Sequence, residues 1–388
     1  MKRNIVAVGL KYDDNLGDQA IYYTTTEMLK EFILGHGLDI ALDTIDLYGA
    51  VKFRSERNVM EKASEKLQRL FMSADDLREK KVRKLCRKYI GKNTAAIVFT
   101  GGGIVKYKYQ LAFFRAINAV TEYAERFHVP VMMSAVGIEG YDEQNEDCRN
   151  LKKALNRSCV KVITTRDDLE ILNKYYKSTD MKTAKVADPA CSISEYLQVS
   201  AEKTHTIGLG VVREGLFIDN EVPYSKEQLL ELYAGLYHRI VKDGYGCAVY
   251  TNGLKSDQRF AADLKEYTER RYHMECRVLK RPEHVEDLVK YICGFDGLIC
   301  GRLHSSILAY SYGVPSVGLV WNRKQSLFGE TVGYPERFVN AGDFSVDNIA
   351  SKLYNAVGEG YSAIDKPSYI QTTKQELFDF LNNYVDAG

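Results

Sequence analysis

Short apolar runs alternate with helical stretches along most of the chain, and that rhythm limits the fold more than any single residue does. Runs at 5–10, 40–47, 95–100, 131–136 and 160–164 have the length and composition of buried parallel strands. Between them, 19–34, 109–127, 145–156 and 166–176 carry apolar residues at helical spacing. In the first of these, Ile21, Thr25, Met28, Leu29, Phe32 and Ile33 share one face. After a polar stretch at 200–204 the rhythm restarts. Strands are expected at 206–212, 246–250, 276–279, 298–300 and 316–320, with helices at 225–241, 257–271, 282–291 and 305–312. Helices at 346–357 and 373–384 finish the chain. Such alternation argues for doubly wound parallel sheets. At 388 residues the chain exceeds what one hydrophobic core usually serves. The expected fold is therefore α/β, with two Rossmann-like doubly wound domains facing across a cleft. Their expected extents are 1–199 and 205–345, followed by C-terminal helices over 346–388.

Composition narrows the function. A net charge of +1 supplies no global field to gather nucleic acid. The eight cysteines show no C-x-x-C spacing, so they read as reduced core residues, and no structural zinc is expected. The first apolar run is too short for a signal peptide and reads as a strand, which makes the expected location cytoplasmic. One stretch, 77–92, is strongly basic: Leu77, Leu85 and Tyr89 form an apolar side amid Arg78, Lys80, Lys81, Arg83, Lys84, Arg87 and Lys88. It reads either as a peripheral membrane contact or as an ordinary solvated face.

The stretch 297–321 concentrates the chemistry. A buried strand ends at Gly301, Arg302 and His304 follow, and a short helix closes at Gly313 before Pro315. Open α/β sheets bind ligands at the carboxyl ends of their strands. A helix N-terminus there offers unpaired N–H groups, and Arg302 adds a fixed cation. The residues suit an anion-binding corner containing an imidazole. They equally suit a plain structural use, with Arg302 paired to a carboxylate across the sheet and His304 as a capping group. Asp18 is similarly open, since an acid just before a helix favours its N-terminus electrostatically and also suits bonding to a polyol or accepting a proton.

Several stretches occur in one order: Asn15-Leu16-Gly17-Asp18, Thr100-Gly101-Gly102-Gly103, Arg166-Asp167, Asp188-Pro189-Ala190, Val212-Arg213, Gly301-Arg302-Leu303-His304, Gly313-Val314-Pro315, and Lys324 with Phe328. From near residue 9 to near residue 330 this series resembles the polysaccharide pyruvyl transferase family. The resemblance implies a GT-B-like fold and transfer of a pyruvyl group from phosphoenolpyruvate to a sugar, forming a ketal and releasing phosphate. It implies that Arg213, Arg302 and Leu303 line the phosphoenolpyruvate site and that His304 is the catalytic acid. It also implies that Asn15, Asp18, Gly102 and Gly103 face the cleft from the first domain. Lys324, at a strand–helix junction, is a third candidate cation. The donor is a substrate, so no cofactor and no metal are implied; the acceptor is a sugar, lipid-linked or free. The loop 10–14 lacks the family's usual glycines, and Gln19 stands where Glu is common. Two other readings compete: a GT-B glycosyltransferase or sugar-nucleotide epimerase, and a non-catalytic sugar- or anion-binding relative. Many nucleotide-sugar enzymes place an acid in the helix before the Gly-x-Pro element, and residues 306–312 contain none.

Overall fold

The first apolar run becomes β1 (Asn4–Gly9), buried along its whole length because it pairs with a parallel neighbour on each side. The computed structural model describes residues 2–68, 71–106, 113–177, 180–361 and 368–386. Two units divide the chain, one formed by Met1–Asp13, Ile21–Pro189 and Ser368–Gly388, the other by Asp14–Ala20 and Ala190–Pro367.

In the first unit β1 joins β2 (Ala41–Asp46), β3 (Thr94–Phe99), β4 (Gly102–Lys106), β5 (Val131–Glu139), β6 (Val160–Thr165) and β7 (Lys182–Lys185). The order is β2-β1-β3-β5-β6-β7, with β4 added beside β5, and every pairing is parallel. The central strands β1 and β3 are wholly buried, whereas the edge strand β7 is half-buried to exposed. Helices Ala74–Tyr89 and Phe114–Arg126 supply Val82, Leu85, Cys86, Ile117 and Val120 to its core.

In the second unit β8 (Thr206–Gly210), β9 (Gly246–Tyr250), β10 (Gly297–Cys300), β11 (Ser316–Val320) and β12 (Phe338–Asn340) form a parallel sheet in the order β12-β11-β10-β8-β9. Helices Lys226–Lys242 and Val346–Glu359 bring Leu229, Tyr233, Ile349 and Leu353 into its core.

Four expectations change. Strands β4, β7 and β12 were not legible, because the glycine run of β4 reads as a loop and the other two are short edge strands. The expected strand at 276–279 is a single bridge, Val249 to Val278. The division also moves: it falls after Pro189 rather than near 199–205, and the C-terminal helices are shared out. Helix Val346–Glu359 belongs to the second unit, while Ser368–Leu381 returns to the first, where Thr373 Oγ1 donates to Ala187 O at 2.6 Å. Finally, the apolar side of 77–92 faces inward: Leu77, Val82, Leu85 and Cys86 are buried. Tyr89 stays half-buried, and the outward face of the helix carries mainly charged side chains. Among the described residues, no helix is long and apolar enough to cross one. All eight cysteines are buried and unpaired with one another.

Asp46, at the carboxyl end of β2, anchors the loops there. Its Oδ1 accepts from the Tyr48 and Ala50 amides at 2.9 and 3.3 Å, and its Oδ2 from the Tyr12 amide at 3.2 Å. Burial outweighs these bonds and raises its pKa from 3.8 to about 6. A carboxyl whose folded pKa is raised favours the folded state below its unfolded value, and that contribution is lost as pH rises through the folded pKa. Stability should therefore fall by about 2 kcal/mol relative to Asp46→Asn between about pH 4 and pH 6. Denaturant titrations of both proteins across that range test this, and parallel stability curves would count against it.

Candidate functional site

The strand order of the second sheet reverses between β8 and β10: the chain passes from β8 outward to β9, then returns to the other side of β8. Crevices at such reversals, beyond the carboxyl ends of the strands, are where open α/β sheets take ligands. Gly210 and Cys300 are paired at the ends of β8 and β10, and the Gly301 amide donates to Gly210 O at 2.9 Å. Arg213 and Arg302 follow these two strand ends, so topology brings both to the reversal.

Arg302 is the N-cap of helix Leu303–Ser311, in extended conformation. Its guanidinium meets Asp257 side-on: Nε donates to Oδ2 at 2.9 Å and Nη2 to Oδ1 at 3.0 Å. Asp257 is fully buried and Arg302 is 15% exposed. Asp257 lies in the first turn of helix Lys255–Tyr272, where the helix end also favours its charge. The same Oδ1 accepts the Arg213 amide at 3.2 Å. One carboxylate therefore holds the fork of one arginine and the backbone of the other. The Nη1 side of Arg302 points away from that bidentate contact. The Arg213 guanidinium is half-exposed and pairs with Asp219 at 3.1 Å. Gly215 leaves it room, since a Cβ there would overlap Nη1.

His304 is buried in the first turn of its helix. Against its ring lies Gly17, where a Cβ would overlap the imidazole at Nδ1 and Cγ. Glycine is required by that close approach. The Leu16 amide donates to Asn252 O at 3.1 Å, and Asn252 Oδ1 accepts from Ser305 Oγ at 2.6 Å. Asn15 caps the helix Leu16–Gly35: its Oδ1 accepts the Gly17 amide at 3.3 Å and its Nδ2 donates to Asp18 Oδ2 at 2.7 Å. Arg281 adds a further cation, donating to Gly253 O at 2.8 Å and standing 3.7 Å from Asp14 Oδ1. Asn15 and Asp18 thus pack with the second unit, not the first as expected, because residues 14–20 dock on the loop after β9.

Leu303 is half-buried at the first helical position. Lys324 is half-buried near the start of helix Arg323–Val332, which is capped reciprocally by Asn322 and Gln325. Trp321 Nε1 donates to Gly301 O at 2.6 Å, fixing the Gly-Arg turn from that side. Gly102 and Gly103 open β4 in the first unit; Gly101 and Gly102 have φ of +104° and +89°, which L side chains rarely adopt. Nearby in sequence order, the Arg166 and Asp188 positions are a buried ion pair with each other, and Asp167 Oδ2 accepts the Ile138 amide at 2.8 Å. The residues that sequence reasoning missed are Asp257, Asn252, Arg281 and Trp321. Asp257 had one available signal, an acid in a first helical turn that follows a strand end.

Two substitutions test this geometry. Asp257→Ala leaves Arg302 buried without its counter-charge and should cost about 3–5 kcal/mol of second-unit stability; a change below about 1 kcal/mol in urea denaturation would mean that the pair is dispensable. Gly17→Ala should displace the His304 ring, and unchanged imidazole chemical shifts in the variant would refute the close contact.

Comparison with solved structures supplies the fold. The chain is similar to a UDP-N-acetylglucosamine 2-epimerase structure (described as putative) from Listeria monocytogenes, with TM-score 0.57 at 8% identity, covering 100% of this chain and 98% of that one. It is similar to UDP-GlcNAc 2-epimerase from Methanocaldococcus jannaschii, with TM-score 0.55 at 10% identity over 98% and 99% of the two chains. The S. aureus MnaA–UDP structure gives TM-score 0.56 at 12% identity over 100% and 97%. At such identities the likeness is one of fold, and that fold is GT-B. Among curated protein sequences none matches the chain. The family profile described as polysaccharide pyruvyl transferase matches residues 15–323, a span that runs from the Asn15 cap through both arginines and His304 to the helix after β11. By that match the chain belongs to the polysaccharide pyruvyl transferase family.

Proposed function

We propose that the protein transfers a pyruvyl group from phosphoenolpyruvate to a sugar bearing two suitably placed hydroxyls. The observation that carries the reading is the pair of arginines that Asp257 fixes at the β8/β10 reversal, with a buried imidazole in the adjoining helical turn. The donor carries a carboxylate and a phosphate on one small frame, and guanidinium groups with a helix N-terminus match that pattern. Arg213 and the Nη1 side of Arg302 would engage the donor's anionic groups, with Lys324 nearby in the sequence of strand ends and the Leu303 amide at the helix start.

Protonated His304 gives its proton to the donor's methylene carbon, C2 becomes electrophilic, and the first sugar hydroxyl adds there and returns a proton to the imidazole. The C2–O bond to phosphate then breaks, the second hydroxyl closes the ketal, and its proton leaves with the phosphate. Atoms and charge balance with no redox partner. Asn15 and Asp18, on the segment packed against His304, would meet the acceptor's hydroxyls. The UDP-linked names of the structural neighbours do not carry over, because helix Leu303–Ser311 holds no carboxylate to take a ribose.

Phosphoenolpyruvate-dependent phosphate release, screened over a panel of sugar acceptors, is the direct test. His304→Gln should abolish release while leaving donor binding intact; wild-type turnover would remove His304 from the mechanism. Arg213→Ala should weaken donor binding by about 1.5–3 kcal/mol, as for a lost charge-assisted hydrogen bond. Donor at about 100 times its dissociation constant should stabilise the wild type by about 2.7 kcal/mol, and no stabilisation at any concentration would turn the reading toward another ligand.

A further inference from the structure

The stretch 51–71 of the first unit presents apolar side chains that the unit's core does not take. In helix Val59–Gln68, Val59, Ala63 and Leu67 recur at every fourth residue on one face, with Met60 beside them. Val59 and Met60 are each 81% exposed, as is Phe71 just beyond the helix. Val51 and Leu67 are exposed as well. Single exposed apolar residues need no explanation, but five within one short stretch do.

Beside this stretch, a groove of about 950 Å³ runs between residues 49–61 and helix Ala74–Tyr89. Lys52, Arg57, Lys81, Lys84, Arg87 and Lys88 line it, with Glu61 the lone carboxylate among the described lining residues. Glu61 is already paired with Lys52 at 2.7 Å. The cations stand here because the helix that bears most of them has committed its apolar side to the core.

The combination selects the occupant. A second copy of this chain would set the cationic groove against another like it. A nucleic acid would satisfy the cations but give nothing to aliphatic Val59, Met60 and Leu67. An anionic bilayer satisfies both, with lipid phosphates against the groove and apolar side chains in the acyl boundary. We propose that this face docks on an anionic phospholipid bilayer. The surface lies wholly in the first unit, and the proposal stands whether or not the activity assigned above is correct.

The test is sedimentation of the full-length protein with vesicles of phosphatidylcholine alone and of phosphatidylcholine mixed with an equal amount of phosphatidylglycerol. The protein should pellet with the mixed vesicles only, and less so as salt is raised. Lys84→Ser/Arg87→Ser should weaken this partitioning about thirtyfold, since each cation near an anionic surface contributes about fivefold. Met60→Ser/Phe71→Ser should weaken it about tenfold. All four positions are exposed, and matching thermal unfolding would show that both variants keep the fold. Equal pelleting with both vesicle types, none with either, or full binding by both double variants overturns the proposal. So does a dimer that Met60→Ser/Phe71→Ser dissolves, or tighter binding to a single-stranded oligonucleotide than to the mixed vesicles.

Discussion

The carboxyl edge of the second unit's sheet depends on one fully buried carboxylate. Asp257 is tolerable without solvent only because a guanidinium fork, a backbone amide and a helix N-terminus converge on it. This has a consequence for the two arginines. The Arg302–Asp257 pair is buried and bidentate, so the Arg302 guanidinium is held in one orientation. Arg213 and Asp219 are half-exposed, and such pairs contribute little to stability. That pair is the more loosely held of the two. One arginine is held tightly, the other loosely, and the same carboxylate sets the backbone of the second while it holds the side chain of the first.

The imidazole is treated in the same manner, by packing rather than by pairing. Its ring lies where a side chain on Gly17 would have to be, so the main chain of the capping turn limits its tilt. That turn belongs to the second unit although the rest of the Leu16–Gly35 helix belongs to the first. The Asn15-Leu16-Gly17-Asp18 motif is thereby explained as one piece: a cap, a residue whose amide docks on Asn252, a glycine for the ring, and a carboxylate held by the cap. Read along the sequence, the same residues appear as a polar turn before a helix and as a family motif, and neither shows how the four fit together.

The parallel strands, the two-unit plan and the Gly301-Arg302-Leu303-His304 corner were legible because each has a local signature: apolar runs of strand length, a restart after a polar stretch, a cation and an imidazole after a strand. Asp257 was not. It looks like any acid in a first helical turn, and its role arises only because β9 and β10 flank β8, an order that no local pattern encodes. The basic stretch 77–92 was legible as amphipathic, but periodicity does not say whether an apolar stripe meets a core or a solvent boundary. Val82 and Cys86, wholly buried, settle that for the core. The apolar residues of 51–71 gave no warning, since an exposed apolar helix and a buried one share one pattern.

The two sheets have related topology yet use buried acids at their carboxyl edges for opposite ends. At the edge of the first, Asp46 accepts three backbone amides from the loops around it and, among the described residues, no cation is bonded to it, so burial prevails and its pKa rises to about 6. Acids at the end of a second strand take the ribose of dinucleotides in many such folds. Here both Asp46 oxygens are engaged by the chain's own backbone, which makes the residue a loop anchor. At the edge of the second sheet, Asp257 holds a guanidinium instead, and the result is an edge with fixed cationic geometry. The difference between the edges therefore lies less in which residue types occur than in what each carboxylate is bonded to. An acid spent on amides shapes a loop; an acid spent on an arginine aims a charge.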